Sequence, residues 1–178
     1  MTSQLLNSPP PSPRQLSEEL RNGHSPDLDR RRAIVALSMV GGTMGQIVSL
    51  YQTGVIKDLP DIPLPFFNSA KVDAADYAYS RLSTPDGLMM VANYAITAWL
   101  AGAGGKDRAK TNPLLPIAMG VKTLVDTGVA LKLAAEEWRD NKALCEYCQV
   151  ATLCSIASVA LAIPEMTHAF QTMTGSKA

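Results

Sequence analysis

Cys145-Glu146-Tyr147-Cys148 opens an uncharged stretch, Gln149-Val-Ala-Thr-Leu-Cys-Ser-Ile-Ala-Ser-Val-Ala-Leu-Ala-Ile163. The run begins near Ala143 and closes at Pro164-Glu165. It lacks the charged stripe that a helix on the surface of a soluble domain carries. Two cysteines separated by two residues at a helix start lie within disulfide reach of each other. The first sulfur also meets free backbone N–H groups and the positive end of the helix dipole, which favour a thiolate. Thiol–disulfide exchange is the chemistry this arrangement serves.

Three similar runs precede it. Ala33 to Ile56 contains no charge and is long enough for a bilayer core, which takes about 20 helical residues. Its Gly41 and Gly45 have the spacing that lets a second helix approach closely. Pro85 to Gly105 follows, with Leu88 to Leu100 uncharged. The third run, Asn112 to about Ala135, carries Lys122, Asp126 and Lys132 and is the most polar of the four. The turns Lys106–Lys110 and Glu136–Lys142 are short. This pattern predicts an all-α fold, a four-helix transmembrane bundle running up, down, up and down. The bundle is expected over residues 33–165, after a disordered N-terminal segment over 1–32 and before a polar tail over 166–178. A short helix around Gln15–Arg21 fits within the first segment.

Composition narrows the function. The 178 residues hold 16 basic and 16 acidic side chains, so no global field draws the chain to nucleic acid. Three cysteines are too few for a disulfide scaffold. One C-x-x-C without a second pair of ligands leaves a zinc site incomplete, so no metal is expected. The partner implied by the apolar runs is the lipid bilayer. Basic residues flank the first run at Arg30-Arg31-Arg32 and fill the second turn at Lys106, Arg108 and Lys110. By the positive-inside rule both belong to the cytoplasm. The termini are then cytoplasmic, and the C-x-x-C lies at the outer face of an inner membrane.

Lys57 to Thr84 connects the first two spans and is extended by Pro60, Pro63 and Pro65. Within it Asp73 to Arg81 reads as a short helix with Asp73 as its N-cap. A connection this long is more often functional than idle.

Four spans, this outer loop and the placed C-x-x-C resemble the vitamin K epoxide reductase family of membrane thiol oxidoreductases. The resemblance runs from about Arg32 to Glu165. It is carried by Val48-Ser-Leu-Tyr51, Tyr79-Ser80, Thr84-Pro-Asp-Gly87 and Cys145-Glu-Tyr-Cys148. It implies a bundle enclosing a quinone of the ubiquinone or menaquinone type. Cys148 would then face the quinone and Cys145 would exchange with outside thiols. The sequence departs from the family in the loop. Members typically carry a second cysteine pair there as a relay, and Lys57–Thr84 contains no cysteine. Either an external thioredoxin-like dithiol protein or a small thiol then meets Cys145 directly, or the chain is a non-catalytic bundle with a structural cysteine pair.

Other residues compete with bland roles. Asp86, at the outer start of the second span, suits proton exchange at the quinone mouth or simple helix-start electrostatics. Asn93, Tyr94 and Trp99 either line the pocket or pack. Tyr147 either covers the sulfur or is an interfacial tyrosine. Lys122 and Asp126, four apart, pair on one face. Phe66 and Phe67 either lid the quinone site or anchor the loop at the membrane. Cys154 reads as a packing residue.

Overall fold

A computed structural model describes residues 12–175, and every regular element in them is helical. The elements are α1 (Pro13–Asn22), α2 (Pro26–Gln52), α3 (Ser69–Asp73), a single 3-10 turn (Asp76–Tyr79), α4 (Asp86–Gly102), α5 (Arg108–Thr111), α6 (Leu114–Asn141) and α7 (Glu146–Thr174). Three of them, α2, α6 and α7, are long and apolar enough to cross a membrane. The 17-residue α4 completes the bundle as a shorter helix. The chain is thus an all-α membrane bundle. Helix α2 packs on α4 and α7, and α7 packs on α6.

Helix boundaries differ from the sequence expectation in four places, each for a local reason. Of the segment expected to be disordered, 1–11 lies outside the described residues, and most of 12–32 is helical. Ser12 and Gln15 form a reciprocal capping box for α1. Ser25 Oγ then accepts the Leu28 N–H at 3.1 Å, and Pro26 opens α2 ahead of Ala33. The expected polar turn Glu136–Lys142 is mostly the last turn of α6, whose charged residues favour helix; only Lys142 leaves it, at φ 50°. The N-cap expected at Asp73 is Asn68, whose Oδ1 accepts the Lys71 N–H at 3.0 Å; Asp73 ends α3 instead. Finally, α7 continues through Pro164 to Thr174, into the expected tail.

The last point has a cause in packing. Glu165 is fully buried and takes both Nε and Nη2 of Arg108, each at 2.8 Å. Arg108 Nη1 donates to Ala103 O at 2.7 Å. Arg31, also buried, donates from Nε to Ala101 O at 2.8 Å and from Nη1 to Gly105 O at 2.9 Å. Two arginines therefore take up carbonyls at the C-terminus of α4 and in the turn that follows it. Arg31 and Arg108 count among the basic residues read as flanking charge, and both are interior caps.

The glycine spacing in α2 acts against α4. A Cβ at Gly41 would fall 2.3 Å from the Tyr94 ring, and one at Gly45 would fall 3.1 Å from Gly87 O. Helix α4 approaches that closely, and the Tyr94 ring occupies the slot at Gly41.

Candidate functional site

The connection from α2 to α4 folds over the start of α7 and is fastened there by polar contacts. Phe67 and Leu144 form an isolated parallel bridge. Leu144 N donates to Phe66 O at 2.9 Å and Asn68 N donates to Leu144 O at 3.1 Å. Ser69 Oγ accepts the Glu146 N–H at 2.9 Å while its hydroxyl bonds Asp61. Glu146 Oε2 in turn accepts the Ile62 N–H at 2.6 Å. Tyr147 donates its hydroxyl to Pro60 O at 2.6 Å. The tyrosine thus holds the loop, and it packs against the buried cluster around Cys145. Phe66 and Phe67 pack on each other with ring centroids 4.7 Å apart, outside the cavity lining.

Beneath this cover lie the cysteines, all free thiols. Cys145 is the N-cap of α7, and its Sγ accepts the Cys148 N–H at 3.1 Å. That bond is the one expected of a sulfur at a helix start. The consequence expected from it, a favoured thiolate, does not follow. Cys145 is 0% exposed, packed with Val48, Val72 and Ala143. Burial pushes its thiol up, and the neighbouring Asp73 carboxylate adds to the rise. Removal from water outweighs the helix dipole here.

The surrounding acids explain the rest. Asp73, at the end of α3, is 2% exposed, and its Oδ1 accepts the Cys148 thiol at 3.8 Å. Its Oδ2 is buried with no hydrogen-bond partner. Burial, together with the charges of Asp86 and Asp61 and against the hydrogen bonds from the cysteines, raises the Asp73 carboxyl to about 7. One Asp73 oxygen and the two sulfurs lie within 4.8 Å of one another. Three such groups fall short of the four that close a structural zinc site, so the cluster is read through proton and sulfur chemistry. From α6, Glu137 Oε2 accepts the Cys145 N–H at 3.2 Å and the Gln149 amide at 3.1 Å, closing the cap of α7 from the other side.

Cys148 lies on the wall of a cavity of about 320 Å³ between α4, α6 and α7. Met89, Met90, Val129 and Leu133 supply its apolar lining. Of the residues singled out from the sequence, Asp86, Asn93, Tyr94 and Cys148 line it, and Cys145 and Tyr147 do not. Asp86 Oδ1 accepts the Gln52 amide at 2.7 Å. Asn93 Oδ1 accepts from Lys122 Nζ at 2.9 Å, and Lys122 also pairs with Asp126 and donates to Thr97 Oγ1 at 2.7 Å. Trp99 is 67% exposed on the outside of the bundle.

Sequence reasoning passed over Asp73 as a cavity neighbour, and Tyr77, Arg81 and Glu137 as cavity walls. The Tyr77 hydroxyl and Arg81 Nη1 are buried without partners. Burial and the Glu137 and Asp73 carboxylates push the Tyr77 phenol well above its usual range, so it stays a hydroxyl donor. No local signal marks any of the four; the fold of the loop and the last turn of α6 bring them in.

No curated protein and no solved structure matches the chain. A family model does, over residues 32–163, and it spans all four bundle helices, the covering loop and the C-x-x-C. With that match over most of its length, the chain belongs to the vitamin K epoxide reductase family, a family of membrane thiol oxidoreductases.

Proposed function

We propose that the chain is a quinone-coupled thiol–disulfide oxidoreductase, in which Cys145 and Cys148 pass electrons from an outside thiol to a quinone. The observation that carries this is Cys148 on the wall of an apolar cavity whose two unpartnered buried polar groups, Tyr77 OH and Arg81 Nη1, are both hydrogen-bond donors. Quinone carbonyls only accept, so these two unpartnered donors suit that group. Tyr77 and Arg81 would hold the carbonyls, with Met89, Met90 and Val129 against the ring. A bound quinone supplies a two-electron, two-proton acceptor. Asp86 and Asn93 remain candidates for the same wall, Asn93 through its amide nitrogen. The quinone proposed is of the ubiquinone or menaquinone type.

The residues divide the work by position. Cys148 meets the cavity. Cys145, held behind it against Val48 and Val72, is the sulfur that pairs with Cys148 and that an incoming thiol must reach. Because the loop seals Cys145, that exchange requires the loop to lift from α7. The inner membrane, with this site at the outer face, is the location proposed; Arg30, Arg32, Lys106 and Lys110 support it as basic residues at the opposite end of the bundle.

Purified full-length protein in nanodiscs, given dithiothreitol and a short-chain ubiquinone or a menaquinone analogue, tests this. Quinol forms, and both Cys145→Ala and Cys148→Ala abolish it; Tyr77→Phe and Arg81→Gln raise the KM for quinone. Undiminished quinol formation in the cysteine variants overturns the proposal. The non-catalytic alternative draws on one observation, the burial of Cys145 under a loop without cysteines. It requires that thiol trapping in cells find neither cysteine changing state under oxidative or reductive stress.

A further inference from the structure

Asp73 stands where the loop meets the dithiol, with one carboxylate oxygen and both sulfurs within 4.8 Å of one another. It comes from a segment without cysteine, so it cannot relay electrons. What it brings is a carboxylate. One oxygen accepts the Cys148 thiol at 3.8 Å, and the other is buried and unpartnered. A buried carboxyl oxygen with no partner is costly unless it has a use. The backbone carbonyl of Asp73 accepts the Gln52 amide at 3.3 Å, which ties the end of α3 to α2 and fixes the side chain in place.

Its surroundings lack a positive charge. Facing it are Cys145 and Cys148 from α7, Asp86 from α4, Glu137 from α6, and Asp61 and Tyr77 from the loop. Among the described residues no lysine or arginine pairs with it. Lys71, two residues earlier, donates to Asn141 O at 2.8 Å, and Arg81 turns to Glu136 at 3.8 Å. Such a group is not an ion-pair partner. It exchanges a proton with the thiols beside it, and the one that donates to its Oδ1 is Cys148.

On the proposed oxidoreductase reading, we infer that Asp73 is a catalytic residue, the proton acceptor for the Cys148 thiol. The step balances as follows. Two S–H bonds break and one S–S bond forms between Cys145 and Cys148. The two electrons and two protons released go to the quinone, the oxidant of the proposed reaction. Asp73 takes the Cys148 proton as that sulfur becomes nucleophilic, then releases it and returns to the carboxylate. In the reverse direction the protonated Asp73 supplies a proton to the sulfur that leaves the disulfide. This role replaces what the helix terminus does not provide at the buried Cys145. A carboxyl near 7 is poised to take and release a proton at neutral pH.

The test uses full-length protein in nanodiscs without quinone. Alkylation of Cys148 by iodoacetamide is followed by mass spectrometry from pH 5 to 10. In the wild type the rate rises through an inflection near pH 7, ahead of the thiol's own titration. Asp73→Asn removes that inflection and Asp73→Glu retains it. A wild-type profile with no inflection near neutrality, or one that Asp73→Asn leaves in place, overturns the assignment. The wild-type profile needs no variant to fold. With quinone present, Asp73→Asn lowers turnover at pH 7 by about 10²-fold or more, the range of general acid–base catalysis, and Asp73→Glu restores part of it; turnover unchanged in Asp73→Asn also overturns the assignment. The alkylation profile requires no turnover, so it judges Asp73 even where Cys145→Ala and Cys148→Ala disprove the quinone-coupled reading.

Discussion

Ser69 Oγ accepts the Glu146 backbone N–H at 2.9 Å, so a residue of the loop caps the helix that carries the cysteines. The same hydroxyl bonds Asp61, and Ser69 N donates to Asp61 Oδ2 at 2.8 Å. Capping and cover are therefore one interaction. Losing it both frays the start of α7 and loosens the seal over Cys145.

Ser69→Ala is expected to weaken the closed loop by about 1–2 kcal/mol, the usual value of a lost helix cap. Opening then becomes roughly 5- to 30-fold more frequent, and maleimide labelling of Cys145 accelerates accordingly. Peptide mass spectrometry measures it, with Cys154, buried deeper in α7, as the internal control. Equal labelling of Cys145 in wild type and variant would mean that the loop does not gate it.

At the other end of the bundle, Arg108 and Glu165 form a bidentate pair with 0% and 1% side-chain exposure. Removing one partner leaves a buried charge, which costs about 3–5 kcal/mol. Arg108→Met is expected to lower the melting temperature in detergent sharply and to loosen α7 beyond Pro164. The double change Arg108→Met with Glu165→Met recovers much of the loss, because both desolvation costs disappear. Additive losses in the double variant would count against this account.

The bundle was legible because its evidence is local. Uncharged runs, short turns and a C-x-x-C at a run's head are visible within a few residues of one another. The site was legible only in part. Cys148 and Asp73 are 75 positions apart, and hydropathy does not say that a loop folds back that far. Glu137 hid for a different reason. Glu136 to Asn141 is so polar that it reads as a turn, while in the structure it prolongs α6 and carries Glu137 inward to the N–H of Cys145. The family resemblance could not supply Asp73 either, since the chain departs from the family's cysteine pattern in that loop.

Gly41 tests how α2 and α4 fit. A Cβ there would sit 2.3 Å from the Tyr94 ring, whereas one at Gly42 would meet Tyr94 Cβ at an ordinary 3.7 Å. Tyr94 cannot swing away freely, because its hydroxyl bonds Ala151 O and Ser155 Oγ on α7. Gly41→Ala is expected to destabilise by about 1–3 kcal/mol, and Gly42→Ala to be near neutral. Thermal unfolding of Gly41→Ala, Tyr94→Ala and the pair closes the cycle: the double variant loses less than the sum. Strict additivity would show that the ring does not occupy the slot.

Asp73 also leaves a mark on stability that is separate from catalysis. Its carboxyl titrates near 3.8 in the unfolded chain and near 7 when folded. Between those values the folded state holds a proton that the unfolded state has released. Stability from this group is therefore fully present below about pH 4 and is lost as pH rises toward 7. The ceiling is about 4 kcal/mol, at about 1.4 kcal/mol for each tenfold change in proton affinity. Asn cannot ionise, so Asp73→Asn removes the loss. The variant should melt only slightly above the wild type at pH 5, where about a third of the loss has accrued, and several degrees above it at pH 8. Circular dichroism melts at the two pH values measure this. A stabilisation that is the same at pH 5 and pH 8 would show that folding does not raise the Asp73 carboxyl above its unfolded value. A destabilisation at pH 8 would show that the buried carboxylate has a cationic partner that offsets its desolvation.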